Sequence, residues 1–260
     1  MLEAVLAVVA PQPVPVARRW WVTADRSAVE VHAAGAPHLA LPMAAATRVA
    51  AGAAVLAVRL AMAAAGFRPV TTLLPKGLPR SVVAVVRRGP VATPTRVERA
   101  LFTAVLAGRG TRPPAPVAAV RGLLRSAADA EGVRLCTAVT PEERARLHIT
   151  IPPRVGAIPE EGIVALLGTD HDAPVGGLQA GQALQRVLWT ATALGLAGTV
   201  LAGPVELAGA RNSIRQRGAF GVVPQVLVHV GAPGRLTGPE DPPDRDRSHC
   251  RLPRRSGDPR

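Results

Sequence analysis

The chain contains no tyrosine, and only three tryptophans and three phenylalanines among 260 residues. Its core must therefore be filled with Ala, Val and Leu, whose small side chains bury less area each, so modest stability is expected. The same scarcity leaves no aromatic residues interleaved with basic ones to stack on bases. Cysteine is nearly absent. Cys136 lies in an apolar run and Cys250 in a polar tail, which excludes a disulfide framework and a zinc-binding spacing. Lys76 is the single lysine, so the net charge of +13 rests on arginine. Those arginines are scattered, without the patch that nucleic-acid recognition needs, and no specific nucleic-acid partner is expected.

Several motifs are missing too. No Walker A loop, dinucleotide-binding glycine fingerprint, HExxH or GxSxG occurs. The six histidines do not cluster, and His171 between Asp170 and Asp172 reads as a polar loop before a helix. Glu142 with Glu143 and Glu160 with Glu161 are adjacent pairs that point in different directions, not paired catalytic carboxylates. The opening MLEAVLAVVAPQ carries an acid where a signal peptide needs positive charge. Thr47 to Gly66 is long and Ala-rich, but Arg48 and Arg59 argue against a membrane span. A cytoplasmic location without a membrane partner is the expectation.

What is present is a folding pattern. Hydrophobic residues make up 48% and the mean hydropathy is +0.22, enough for one large domain or two small ones. Gly177 to Leu196 is the most sharply patterned helix. Ala180, Leu184, Val187, Leu188, Ala191 and Leu194 form one stripe, with Gln182, Gln185 and Arg186 away from it. Asp170 and Asp172 precede it, where negative charge suits a helix N-terminus, and Gly195 is placed to end it. A second long helix spans Met43 to Gly66, with Val49, Ala53, Leu56, Leu60 and Ala63 inward. Shorter helices are expected at Leu2–Val9, Val97–Leu106, Ala115–Glu131 and Ala208–Arg217. Thr140 with Glu143 makes a capping box for another.

Strands are expected at Arg19–Thr23 and Ala28–His32, joined by a polar turn, and at Pro69–Leu74. Others fall at Ser81–Arg87, Val133–Val139, Gly162–Leu167, Leu196–Leu201 and Val222–Val230, with GPVE, Gly203 to Glu206, as a turn. Pro233 to Arg260 is a tail rich in Pro, Arg and Asp.

The order GTDHDAP, LQAGQALQRVLWTATALGL, GPVE and PQVLVHVG, from Gly168 to Gly231, resembles the C-terminal half of nitroreductase-like flavoproteins, most nearly the actinobacterial Acg-type branch. RVAAGAAVLAVRLAMAAAGFRPVTTLLP resembles the family again, as helix then strand. The resemblance implies an α+β, nitroreductase-like fold built as a single-chain pseudo-dimer. Its halves would be residues 1–112 and 113–232; the composition of 233–260 reads separately as a disordered tail. The resemblance also implies FMN as cofactor, NAD(P)H as hydride donor and a small nitroaromatic or quinone-like electron acceptor, in a monomer or homodimer.

Arg109, Thr111 and Arg112 fall in the family's arginine-rich loop and are implied as flavin-phosphate contacts, a task suited to the planar guanidinium. Leu196, Ala197, Gly198 and Thr199 are implied as the ring slot and its backbone donors. No catalytic side chain is demanded. The chain departs from the family at Gln12, Pro15 and Ala17, where polar flavin-facing residues are usual. It also departs at Gly110 and His229, where arginine is usual, and in a short middle that implies a reduced lid. A non-catalytic protein that binds or sequesters FMN is the alternative these departures imply.

Overall fold

Two helices begin with proline and end before glycine, and the rest of the fold is arranged on them. Proline at a first helical position costs no hydrogen bond, and its fixed φ suits the first turn. Helix α1 runs Pro42–Ala64 and is followed by Gly66 at φ +85°. The central helix starts at Pro174, three residues earlier than expected. It ends at Ala193 before Gly195 at φ +77°. A left-handed residue just past a helix is strained for anything but glycine.

The computed structural model describes residues 20–25, 27–35, 37–38, 41–107, 117–150, 159–217 and 221–232. The expectations for the N-terminal helix, the loop with Arg109, Thr111 and Arg112, and the C-terminal tail lie outside them. In chain order the elements are β1 (Trp20–Ala24), β2 (Ala28–Ala33), α1, β3 (Phe67–Leu73), β4 (Val82–Val91), α2 (Arg96–Ala107) and α3 (Val117–Asp129). There follow β5 (Arg134–Ala138), α4 (Pro141–Thr150), β6 (Ile163–Thr169), the central helix as α5 (Pro174–Ala193) and β7 (Ala197–Ala202). The chain closes with α6 (Pro204–Leu207), α7 (Arg211–Arg217) and β8 (Val223–Gly231).

The strands form two four-stranded sheets, ordered β1-β2-β4-β3 and β5-β6-β8-β7, with every pair antiparallel. The two orders are the same, and in each sheet the long helix lies between the second and third strands in sequence. The fold is α+β, a unit repeated within one chain. The repeat also shows where α1 meets α5. A Cβ on Gly52 would lie 2.2 Å from the Leu178 carbonyl oxygen, and one on Gly181 would lie 2.0 Å from the Val49 carbonyl oxygen. The same sequence interval separates Val49 from Leu178, Gly52 from Gly181 and Gly66 from Gly195. Each helix thus offers the same patch to the other, as the two sides of a two-fold interface do.

Three expectations change. Helix α1 is buried nearly all round, Arg48 included, because it lies against sheet one and α5 at once. It is long and apolar enough to cross a membrane, yet 83% of its most apolar window is inside the protein. Gln182 and Gln185 are also buried, because α5 packs on α1 as well as on its own sheet. GPVE is not a plain turn: it forms α6, whose Glu206 carboxylate accepts from the Gly203 N–H at 2.8 Å. Among the described residues the other expected elements stand within a few residues, and the Thr140–Glu143 capping box forms in both directions.

Candidate functional site

Polar side chains are rare in this interior, and two of them, Gln182 and Gln185, lie on α5. Glu131, just past α3, is buried and accepts from two guanidinium groups. Arg59 of α1 donates to its Oε2 at 2.5 Å, and Arg186 of α5 donates to its Oε1 at 2.7 Å. Arg59 also donates to Gln182 Oε1 at 2.7 Å. The cluster ties the first half of the chain to two helices of the second. Beside it a cleft of about 20 Å³ is bounded by Arg59, Arg186, Glu98, Leu101, Pro69 and Trp189, room for about one water molecule. Burial pushes the Glu98 carboxyl up, but hydrogen bonds from the Thr95 N–H and hydroxyl, with Arg68 and Arg186 nearby, hold it below its usual value. Arg59 and Arg186 are both paired with Glu131.

Gln185 is wholly buried, and neither end of its amide has a hydrogen-bond partner among the described residues. The repeat places it where α1 has Leu56. Gln182, Gln185 and Arg186 lie away from the stripe through Leu184 and Leu188, which accounts for one face only. The second face was marked by Leu178, Gly181 and Trp189, which follow the same helical period.

Of the sequence-predicted cofactor residues, Arg109, Thr111 and Arg112 are outside the described residues. Leu196 and Ala197 are buried, with the Leu196 side chain packed in the core between α5 and sheet two. Gly198 and Thr199 are half-buried on β7, an outer strand. An outer strand leaves one row of N–H and C=O groups unused by its sheet. A Cβ on Gly198 would meet the Leu188 side chain at 2.4 Å, so the absence of one also lets α5 lie close. This donor set, main-chain N–H groups between small residues, suits the acceptor edge of a flavin ring. Any slot here is built from backbone, because Leu196 and Ala197 are committed to the core.

His229 lies in β8 between Gly162 and Gly231, and is only 4% exposed. Its Nε2–H donates to the Glu161 carbonyl oxygen at 2.7 Å, which leaves Nδ1 as a buried acceptor without a partner among the described residues. Burial pushes its pKa below the ordinary value. The bond to Glu161 opposes this and the nearby Arg144 adds to it. It is therefore a neutral ring and supplies no cation.

Because the folded pKa is depressed, protons favour the unfolded chain. The stability His229 confers is complete above its unfolded pKa of about 6.5 and is lost as pH falls through the lower folded value. Urea midpoints between pH 7.5 and 5 should fall for the native chain and fall less for His229→Gln. Equal slopes would show that His229 does not control this range.

Asp170 and Asp172 are occupied by arginine. Asp170 pairs with Arg134 at 2.7 Å and Asp172 with Arg211 at 3.1 Å. Hydrogen bonding from Arg134 and its charge hold the Asp170 carboxyl below its usual value. Among the described residues no three His, Cys, Asp or Glu side chains gather as a metal site.

No protein-family model matches the chain. Two curated proteins of Mycobacterium tuberculosis, from strains CDC 1551 / Oshkosh and ATCC 25618 / H37Rv, are 43% identical to it over 70 residues. Their names assign them provisionally as NAD(P)H nitroreductases. The match takes in 26% of this chain and 20% of each of theirs, so the chain spans about a fifth of the length of the curated relatives it matches. Among solved structures, nitroreductase A from Vibrio parahaemolyticus RIMD 2210633 aligns with a TM-score of 0.41 at 15% identity, over 52% of this chain and 69% of that one. An NADPH:FMN oxidoreductase from Vibrio harveyi complexed with NAD+ aligns with a TM-score of 0.40 at 15% identity, over 59% and 80%. Over those 70 residues the chain is similar to proteins named as nitroreductases.

Proposed function

We propose that this protein is an FMN-dependent NAD(P)H oxidoreductase of the nitroreductase type, passing electrons to a small nitroaromatic or quinone-like acceptor. The observation that carries this reading is the 43% identity over 70 residues to the mycobacterial proteins. The repeated α+β fold and the main-chain donors of β7 support it. FMN, when bound, supplies the redox chemistry. The protein's share is to bind and orient. Arg109 and Arg112 would hold the phosphate with Thr111 beside them, and the N–H groups around Gly198 and Thr199 would meet the ring edge. Such donors are already aligned in a strand and need no rearrangement as charge develops.

A second reading follows from His229 and Leu196. The resemblance implies an arginine at position 229, and the residue there is a buried neutral ring. Leu196 is used up in the core. Both favour a protein that holds FMN without turning it over.

One experiment separates the readings. The full chain is incubated with FMN, desalted, and its absorbance followed under anaerobic NADPH. The oxidoreductase keeps its yellow colour and bleaches, and colour returns with a quinone. Colour that persists under NADPH selects the holding protein, and colourless protein sinks both.

A further inference from the structure

Sheet two is covered on both faces. Ala165, Leu167, Val226 and Val228 pack toward α5, and the alternate residues Val164, Leu166 and Leu227 pack with Leu207 of α6 and Ile214 of α7. Sheet one repeats the unit but not the cover. Val29, Val31, Ala84 and Val86 pack toward α1, and the connection from β3 to β4 holds no helix where that from β7 to β8 holds two. On the other face Val82 and Val85 of the inner strand β4 are buried, but the surroundings are open. The register sets Trp21 opposite His32, Thr23 opposite Glu30, Thr72 opposite Val85 and Val70 opposite Arg87. Of these, Trp21, Thr23, Val70, Thr72 and Arg87 are exposed. The Trp21 ring stacks on His32 at 5.0 Å and remains 45% exposed, and Val70 is 49% exposed.

Charge decides what such a face can meet. Between Glu30 and Glu98 the chain has eight bases and no acid. Arg48 is buried and Arg59 pairs with Glu131. The other six, Arg68, Lys76, Arg80, Arg87, Arg88 and Arg96, are exposed. Lys76 and Arg80 flank the exposed Leu78 in the turn that closes the β3–β4 hairpin. The acids beside this surface are occupied. Glu30 lies 3.4 Å from His32, and Asp25, near Arg87, accepts from the N–H groups of Ser27 and Ala28. A second copy of the chain would bring like charge against like charge. A nucleic acid would use the bases but set Val70 and Leu78 against phosphate. An anionic lipid surface uses both, since bases meet the headgroups while aliphatic side chains and an amphipathic tryptophan ring enter the boundary beneath.

We infer that the open face of sheet one, with its hairpin turn, docks the protein on an anionic lipid surface. Lying on a membrane needs no spanning segment, so the arginines of α1 that argue against a span do not bear on it. The inference is independent of the flavin reading.

The test is sedimentation of the full chain with vesicles of phosphatidylcholine alone, and with vesicles of phosphatidylcholine and phosphatidylglycerol in equal parts. The chain should bind the anionic vesicles only, and less as salt rises. A base near such a surface contributes about fivefold, so Arg68→Glu with Arg87→Glu should weaken binding by about tenfold or more. Val70→Ser, which keeps the charge, should also weaken it. Arg125→Glu with Arg215→Glu makes the same change of net charge at exposed positions of α3 and α7 and should leave binding in place. Where a variant melts below the native chain, tryptophan emission of the native chain decides: it should shift to the blue with anionic vesicles and not with neutral ones. No binding to anionic vesicles, equal binding to neutral ones, or equal loss in both charge-reversed pairs would overturn the inference. So would tighter binding to single-stranded DNA than to the anionic vesicles, or a dimer that dissociates when Val70 is replaced.

Discussion

Gly181→Ala should cost this protein about 3 kcal/mol or more, at the upper end of what overpacking does. The added methyl would lie 2.0 Å from the Val49 carbonyl oxygen, with the backbone nitrogen of Ala53 at 2.9 Å. Neither is the end of a flexible side chain, so α1 and α5 must move apart. That separation opens the contact along which the two halves meet. Against a total stability of about 5–15 kcal/mol for a typical domain, the loss is severe. The melting temperature should fall by about 6–12 °C if each kcal/mol is worth about 2–4 °C. Gly122→Ala on α3 is the control. Nothing lies within 4 Å of its added Cβ, and alanine in an open helical position should stabilise by about 0.5–1 kcal/mol. Gly52→Ala should resemble Gly181→Ala, and the double variant should fall short of the sum, since both press on one contact. Equal stability of Gly181→Ala and the native chain would show that the helices do not meet as described.

Glu131→Gln carries the second large effect. Its side chain is 4% exposed, while those of Arg186 and Arg59 are 15% and 26% exposed. Removing the one carboxylate leaves two guanidinium groups facing each other, partly out of water. Breaking a buried pair costs about 3–5 kcal/mol, and the partial exposure of the arginines puts the expected loss near the lower figure. Urea unfolding at two salt concentrations checks it. Added salt should not restore the loss, because a buried pair is screened little. Asp170→Asn, which breaks the exposed pair with Arg134, should leave the urea midpoint in place. A Glu131 variant as stable as native would mean that the two arginines find water without it.

The long helices, the strands and their sequence were legible from the residues because they rest on local rules. Apolar residues every three or four positions mark the helices, and prolines and glycines mark their ends. The Thr140–Glu143 box was legible for the same reason, being four residues long. What stayed hidden was which polar residues are inside. Gln182, Gln185 and Arg186 look like an outer face when α5 is read alone. Gln182 and Gln185 are interior and Arg186 is half-buried, because α1, more than a hundred residues earlier, packs on α5. Glu131 reads as the end of a helix, and only folding brings Arg59 and Arg186 to it. At the candidate site, Leu196 is drawn into the core by packing that no local pattern records.

By itself, then, the sequence determined the elements, their order and the nitroreductase-like resemblance between Gly168 and Gly231, because periodicity and residue order are properties of neighbouring positions. The tertiary structure decided that the chain repeats one unit. The repeat is seen in the matching strand orders and in the close approach of the two long helices at Gly52 and Gly181. The tertiary structure also decided that His229 is a buried neutral ring and not a cation. Close approach and burial depend on what the distant chain places alongside, and that is settled only when the two halves meet.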